Sequence, residues 1–166
     1  MPMRIKVQDG HMYPVEDPFT NVADDQDIPQ GDVILSLTRF QTEGDRLLSE
    51  GRAVGVRLES AEEVEALAYD LPRLSVVALA FPKFGDGRAY SYARLLRERF
   101  GFKGEVRAVG DVLREQAGFM VRCGFDAFEP ADGATPEAWT KAARRFRHVY
   151  QRAADSRPPA FAERGE

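Results

Sequence analysis

The sequence predicts a single α/β domain: a mainly parallel, five-stranded sheet of βα units, flavodoxin-like in order, with an N-terminal β-hairpin. The alternative is a partial (β/α) barrel. Two observations carry this. From Val33 onward, five short apolar or β-branched runs, VILSLT, AVGVRL, LSVVALAF, EVRAV and FDAFE, are each followed by a helix-like segment. Among them LSVVALAF is apolar at both alternating positions, as suits a central strand covered on each side. The spacing of roughly 20 residues between several strand starts would equally suit sequential neighbours in a partial barrel, so periodicity leaves strand order open. A chain of 166 residues has the length of one compact domain. Residues 1–150 are expected to form it, with residues 1–20 as a hairpin and loop appendage and 151–166, which carry Pro158 and Pro159, as a flexible tail.

In chain order, MRIKVQDGHMYPV sets the turn-favouring Asp9 and Gly10 between two short runs of partial alternation, which predicts a hairpin. Residues 16–32 are rich in Asp and Pro, with Phe19 as the main apolar anchor, and read as a surface loop. The helices of the βα units have recognisable ends. Ser60 with Glu63 reads as a capping box, Asp111 as an N-cap, and Thr135, Pro136 and Glu137 as cap, first-turn proline and first-turn acid. Gly51, Gly101 and Gly124 are placed to end three helices. Leu95, Leu96 and Phe100, and then Leu113, Ala117 and Met120, have helical apolar spacing and are expected in the core.

With 43% hydrophobic and 30% charged residues, the composition is that of a folded globular chain and not of a disordered one. No apolar run approaches the roughly 20 residues that span a bilayer, and the start MPMRIKVQDGH has no long apolar signal core, so the expectation is a cytoplasmic protein without membrane contact. One cysteine, Cys123, and two distant histidines, His11 and His148, give neither an intramolecular disulfide nor a metal-ligand spacing. No metal is expected. The net charge of −4 is unevenly spread: residues 1–50 carry four basic and ten acidic side chains, and residues 83–107 carry seven basic and three acidic ones. Residues 141–152 are basic too, but the acidic whole lacks the broad footprint that nucleic acid requires.

Chemistry is expected in the stretch from Phe81 to Phe128. In a parallel sheet the C-terminal strand ends face one crevice, toward which the following helices point their free N–H groups. Two βα joints fall on that edge. The first holds Lys83, Gly85, Asp86, Gly87 and Arg88, with Ser91 one turn further; the second is Gly110 and Asp111. Glycines that admit the backbone, with Lys83, Arg88 and Ser91 as donors, are what an oxyanion needs. The same residues also serve a plain tight turn, with Asp86 capping the helix and the cations in solvent, and the sequence leaves both readings open. GDGRAY begins like the dinucleotide fingerprint, but Tyr90 stands in place of the third glycine, and no phosphate-binding P-loop or serine nucleophile motif is present. No cofactor is expected to be held by this chain. Cys123, at a predicted helix C-terminus before Gly124, is expected to be a small core residue, because the helix dipole there disfavours a thiolate.

The segment FPKFGDGRAYSYARLLRERFGFKGEVRAVGDVLREQAGFMVRCGFDAF closely resembles a proteobacterial domain-of-unknown-function family encoded beside assimilatory sulfite reductase and phosphoadenylyl sulfate reductase. Weaker likeness extends upstream through GVRL at 55–58 and DPF at 17–19. Family members commonly carry a hydroxyl residue where this chain has Gly85 and a glycine where it has Ala89. The family is often labelled a probable oxidoreductase of sulfite reduction. The resemblance thus implies a pathway, with sulfite reductase or phosphoadenylyl sulfate reductase as the expected partner and a sulfur oxyanion or adenylyl sulfate as ligand; it assigns no catalytic residue. The leading expectation is an accessory protein of that pathway. An oxidoreductase whose cofactor comes from a partner, and an interaction module without a small ligand that uses the basic helix Arg94 to Arg99, are the alternatives.

Overall fold

The computed structural model describes residues 3–9, 11–82, 87–130 and 136–143. Eight strands form one mixed sheet: β1 (Met3–Gln8), β2 (His11–Glu16), β3 (Phe19–Asn21), β4 (Asp32–Ser36), β5 (Val54–Leu58), β6 (Val76–Phe81), β7 (Glu105–Gly110) and β8 (Ala127–Phe128). Their order is β2-β1-β8-β7-β6-β5-β4-β3. Strands β3 to β8 are parallel neighbours in sequence order, and the β1–β2 hairpin joins antiparallel through β8.

This order corrects the flavodoxin-like expectation and fits the partial-barrel alternative. A flavodoxin-like sheet reverses direction at a switch point and carries helices on both faces. Here every unit steps the same way, which leaves the helices on one face and curls the sheet into a half-barrel. Helices α1 (Leu37–Ser49) and α2 (Arg88–Arg94) pack on that convex face, against β4 and β5 and against β6, followed by α3 (Ala117–Cys123) and α4 (Pro136–Ala143). The hairpin is built into the sheet through Ile5 opposite Phe128 and is no appendage. Residues 16–32 are not only loop, since Phe19–Asn21 pairs with β4.

The double-sided apolar strand now has a different cause. Val77, Leu79 and Phe81 face the helices, whereas Val76, Ala78 and Ala80 face the concave side and pack with Phe19, Ile34 and Val109. Both faces of β6 are dry, one under helices and the other inside the curl.

Several helix ends agree with expectation and others do not. Gly51, Gly101 and Gly124 follow helical segments at φ +78°, +62° and +115°, conformations that cost glycine little. Strand β4 stops at Ser36, whose Oγ accepts from the Arg39 N–H at 3.2 Å and so starts α1. Ser60 and Glu63 form no capping box. After β5 the chain makes only two short 3-10 turns, Val64–Leu67 and Leu71–Arg73, because buried Val64, Leu67 and Leu71 seat it directly on the sheet. Asp111 caps no helix either: the next helical turn starts at Arg114, where Gln116 Oε1 accepts from the Leu113 N–H at 3.1 Å. Glu137 lies in the first turn of α4, and Trp139 of that helix packs on Phe128 with ring centroids 4.9 Å apart. Thr135, the basic run beyond 143 and the expected tail at 151–166 lie outside the described residues.

The two edge strands, β2 and β3, are separated in the chain by Asp17 and Pro18 alone. Three peptide steps of about 3.8 Å reach at most about 11 Å. The opposite edges of the sheet are therefore tied together at one corner. Asp17 fixes that corner from within: its carboxylate takes both Nη1 and Nη2 of Arg107, at 2.7 and 3.1 Å, and accepts the Phe19 N–H at 3.2 Å. Arg107 is 0% exposed and also meets Glu129 at 2.8 Å and Glu105 at 3.2 Å; Arg4 completes the cluster by binding Glu105 at 2.9 Å and Asp17 at 3.4 Å. Burial alone would weaken the Arg107 charge, but Asp17, Glu105 and Glu129 together outweigh it and hold the guanidinium protonated beyond its already high range.

Removing one partner of such a pair leaves a buried charge uncompensated. Asp17→Ala should lower unfolding free energy by about 3–5 kcal/mol in urea titrations. Asp24→Ala, which removes an exposed hydrogen bond to Ser36, should stay within about 1 kcal/mol.

Candidate functional site

The C-terminal ends of β4 to β8 come together at one mouth of the half-barrel, and the two expected βα joints lie side by side there. Phe81, the last residue of β6, pairs with Gly110, the last of β7, and the Asp111 N–H donates to the Phe81 carbonyl at 2.7 Å. Gly110 is required by the geometry: its φ is +88°, and an added Cβ would stand 2.6 Å from the Phe81 carbonyl oxygen. Its own carbonyl accepts the Val112 N–H at 2.9 Å, so β7 leaves the sheet through a three-residue turn around the half-buried Asp111.

On the β6 side, Lys83, Gly85 and Asp86 lie outside the described residues. Gly87 precedes α2 and Arg88 is its first residue. Arg88 and Ser91 are exposed and three apart, hence on one helix face. Arg88 Nη2 donates to Ser60 Oγ at 3.1 Å, and the Tyr92 hydroxyl donates to the Ser60 carbonyl at 3.1 Å. The exit of β5 therefore braces the start of α2, and Ser60 acquires this role in place of the expected cap. Of the expected residues that are described, the structure brings Gly87, Arg88 and Ser91 onto one joint and Gly110 and Asp111 onto the adjoining one.

Residues outside the expected set also line this end. Arg57 pairs in register with Ala78 on the concave side and binds Glu59 at 2.9 Å. An aromatic series climbs from the core to the surface: Phe125 and Phe81 at 5.8 Å between centroids, Phe81 and Tyr90 at 5.1 Å, Tyr90 and Phe119 at 4.8 Å. Phe119, at its outer end, is 59% exposed. Burial pushes the Tyr90 phenol above its ordinary range, Cys123 adds to the shift, and a hydrogen bond with Gln116 opposes it. The signals for these residues were modest: a lone cation inside an apolar strand, as in VGVRL, and a phenylalanine at an exposed position of the α3 period.

The remaining residues singled out in the sequence have simple settings. Cys123 ends α3 and is buried, as a core residue would be. The basic helix divides its charges. Leu95–Arg99 continues α2 as a π-helical turn, and within it Arg97 turns inward, donating to the carbonyls of Phe102, Gly104 and Gly124 at 2.8 to 3.0 Å and pairing with Asp126 at 3.2 Å. Arg94 pairs with Glu98 and Arg99 with Glu65, both at 3.6 Å. Among the described residues no group of three or more His, Cys, Asp or Glu is placed to hold a metal ion, and no helix is long and apolar enough to cross a membrane.

Residues 55–161 match a family of bacterial proteins of unknown function, DUF934, and the chain belongs to that family. The match begins within β5 and takes in both joints. No curated protein matches the chain.

The two glycines that flank the joints should respond differently to a methyl group. Gly110→Ala should cost about 1–3 kcal/mol, from positive φ and the clash with Phe81, and should expose the Asp111 amide to hydrogen exchange. Gly87→Ala, whose nearest contact would be Tyr90 at 4.0 Å, should change stability by less than about 0.5 kcal/mol.

Proposed function

We propose that this chain is an accessory binding protein of assimilatory sulfate and sulfite reduction, which holds a sulfur oxyanion or its adenylyl ester at the mouth of the half-barrel and docks on a cytoplasmic reductase of that pathway. The observation that carries the reading is the placement of Arg88. Its guanidinium is braced by Ser60, one helical turn from the exposed Ser91 hydroxyl and beside the joint that contains Lys83. A cation already held by a neighbour loses little rotamer freedom when it meets an anion, and a guanidinium presents paired donors to two oxygens of a sulfate or sulfite. The neighbouring glycines, Gly87 and Gly110, keep side chains out of the approach. The choice of sulfur among oxyanions rests on the resemblance of residues 81–128, and the reductase partner rests on it as well.

Titration calorimetry with sulfite, sulfate and phosphoadenylyl sulfate should detect binding of at least one of the three. Lys83→Ala combined with Arg88→Ala should weaken it about tenfold or more, the loss expected when two charge-assisted contacts go. No heat from any of them, or unchanged affinity in the double variant, sinks the proposal. In the source organism, deletion of the gene should block growth on sulfate while sulfide still supports it; equal growth on both would remove the protein from the pathway.

A further inference from the structure

We infer that the β1–β2 hairpin is a hinged cover, which opens from the sheet as one unit at Asp17 ahead of global unfolding and is held shut by the ion pairs of Arg4 and Lys6. The inference is independent of the anion reading above. The two strands of the hairpin pair along their whole length, from Met3 opposite Glu16 to Gln8 opposite His11. Its attachment to the sheet is much shorter. β1 meets β8 only at Ile5 opposite Phe128 and Lys6 opposite Ala127, with the Val7 N–H donating to the Asp126 carbonyl at 2.9 Å. By contrast, β6 and β7 run in register from Val76 opposite Glu105 to Phe81 opposite Gly110, and every residue of β6 is buried. β2 ends the strand order, so among the described residues no further strand holds it from outside. The apolar anchors of the hairpin are Ile5 and Met12, and α4 packs on β2. A segment with full internal pairing and few buried links to the rest opens cooperatively at a lower cost than the whole molecule.

Much of the attachment is charge. Lys6 Nζ stands between Glu105 at 3.6 Å and Asp126 at 3.4 Å, and Arg4 Nε meets Glu105 at 2.9 Å. Both carboxylates belong to the body of the sheet. Glu105 is the first residue of β7, and Asp126 is fixed by Arg97 and by the Val106 N–H. The hinge is equally well defined. Asp17 stays with the body through Arg107 and the Phe19 N–H, whereas the Glu16 carbonyl accepts from Arg4 Nη1 at 2.6 Å and moves with the hairpin. Only the 3.4 Å contact of Arg4 with Asp17 crosses that point and is given up. Opening bares the outer edge of β8, with Glu105 and Asp126 beside it. An unpaired strand edge is a template for any extended segment, so the hairpin protects that edge while it is shut.

Native-state hydrogen exchange on the full chain tests this. The amides of β1 and β2, Val7 among them, should exchange as one set, about tenfold or more faster than those of β6 and β7. Lys6→Gln removes both ion pairs of that side chain and should speed the hairpin set about fivefold or more, with β6 and β7 at the parent rate. Lys6 and Ala127 also stand directly opposite each other between hydrogen-bonded pairs, where side chains come closest, so Lys6→Cys with Ala127→Cys makes a covalent latch. With the disulfide closed, as checked by mass, the fast set should disappear, and reduction should restore it. Hairpin amides that exchange in step with β6 and β7 overturn the inference. So does a Lys6→Gln variant that accelerates all strands alike, or a closed latch that leaves the fast set unchanged.

Discussion

The pairing of Asp17 with Arg107 is the constraint on which the rest of this fold depends. Strands added one after another in the same direction produce a sheet that curls, but curling alone leaves two open edges and a concave face without helices. The chain meets both needs at one corner. Asp17 and Pro18 join the last residue of β2 to the first of β3, across the whole sheet order, and the Asp17 carboxylate reaches the guanidinium of Arg107 on β7. A two-residue link would hold the edges near one another in many orientations; the bidentate contact selects one. Arg4 of β1, on the other side of the corner, shares the same carboxylate.

This cluster is costly to bury, and its geometry shows how the cost is offset. Arg107 meets three carboxylates, and its flat face lies 6.0 Å from the centroid of Phe19. Glu105 is shared with Arg4 and Lys6, so positive and negative groups alternate through the interior. Only Arg107 Nε and Trp139 Nε1 remain without a partner among the buried side-chain atoms described. On the far side of the sheet the packing is conventional, with aliphatic strand residues under the helices. The mouth where β6 and β7 end inherits its rigidity from both faces, which is why a turn as tight as that at Gly110 can be held against Phe81.

Much of this was legible in the residues. The five strands from Val33 onward are where their apolar runs place them, β1 and β2 pair as the expected hairpin, and three glycines end helices as their spacing indicates, because each depends on neighbours a few positions away. The capping roles of Ser60 and Asp111 did not form. Both residues have the right side chain for a helix start, but buried Val64 and Leu71 keep the chain after β5 in short turns, and Gly110 diverts it after β7. Charged residues inside apolar strands, Arg107 in EVRAV above all, signal an interior polar contact, yet nothing local names Asp17, ninety positions away, as the partner. Within the candidate site, Arg88, Ser91, Gly110 and Asp111 stand at the strand ends that the βα pattern assigns them. Ser60 comes beside Arg88 only through packing of the start of α2 against the β5 exit.

By itself the sequence determined that this is an α/β chain with parallel strands, where its turns fall, and which two joints share an edge, since hydrophobic period and turn chemistry are read from adjacent residues. Only the tertiary structure decided that the sheet steps in one direction and curls. That choice turns on whether the second face of β6 is buried under helices or inside a closed corner, and the two cases demand the same apolar pattern from the strand. The difference lies in the contact of Asp17 with Arg107, a pairing of distant charges whose energy depends on their mutual geometry and on the water they exclude.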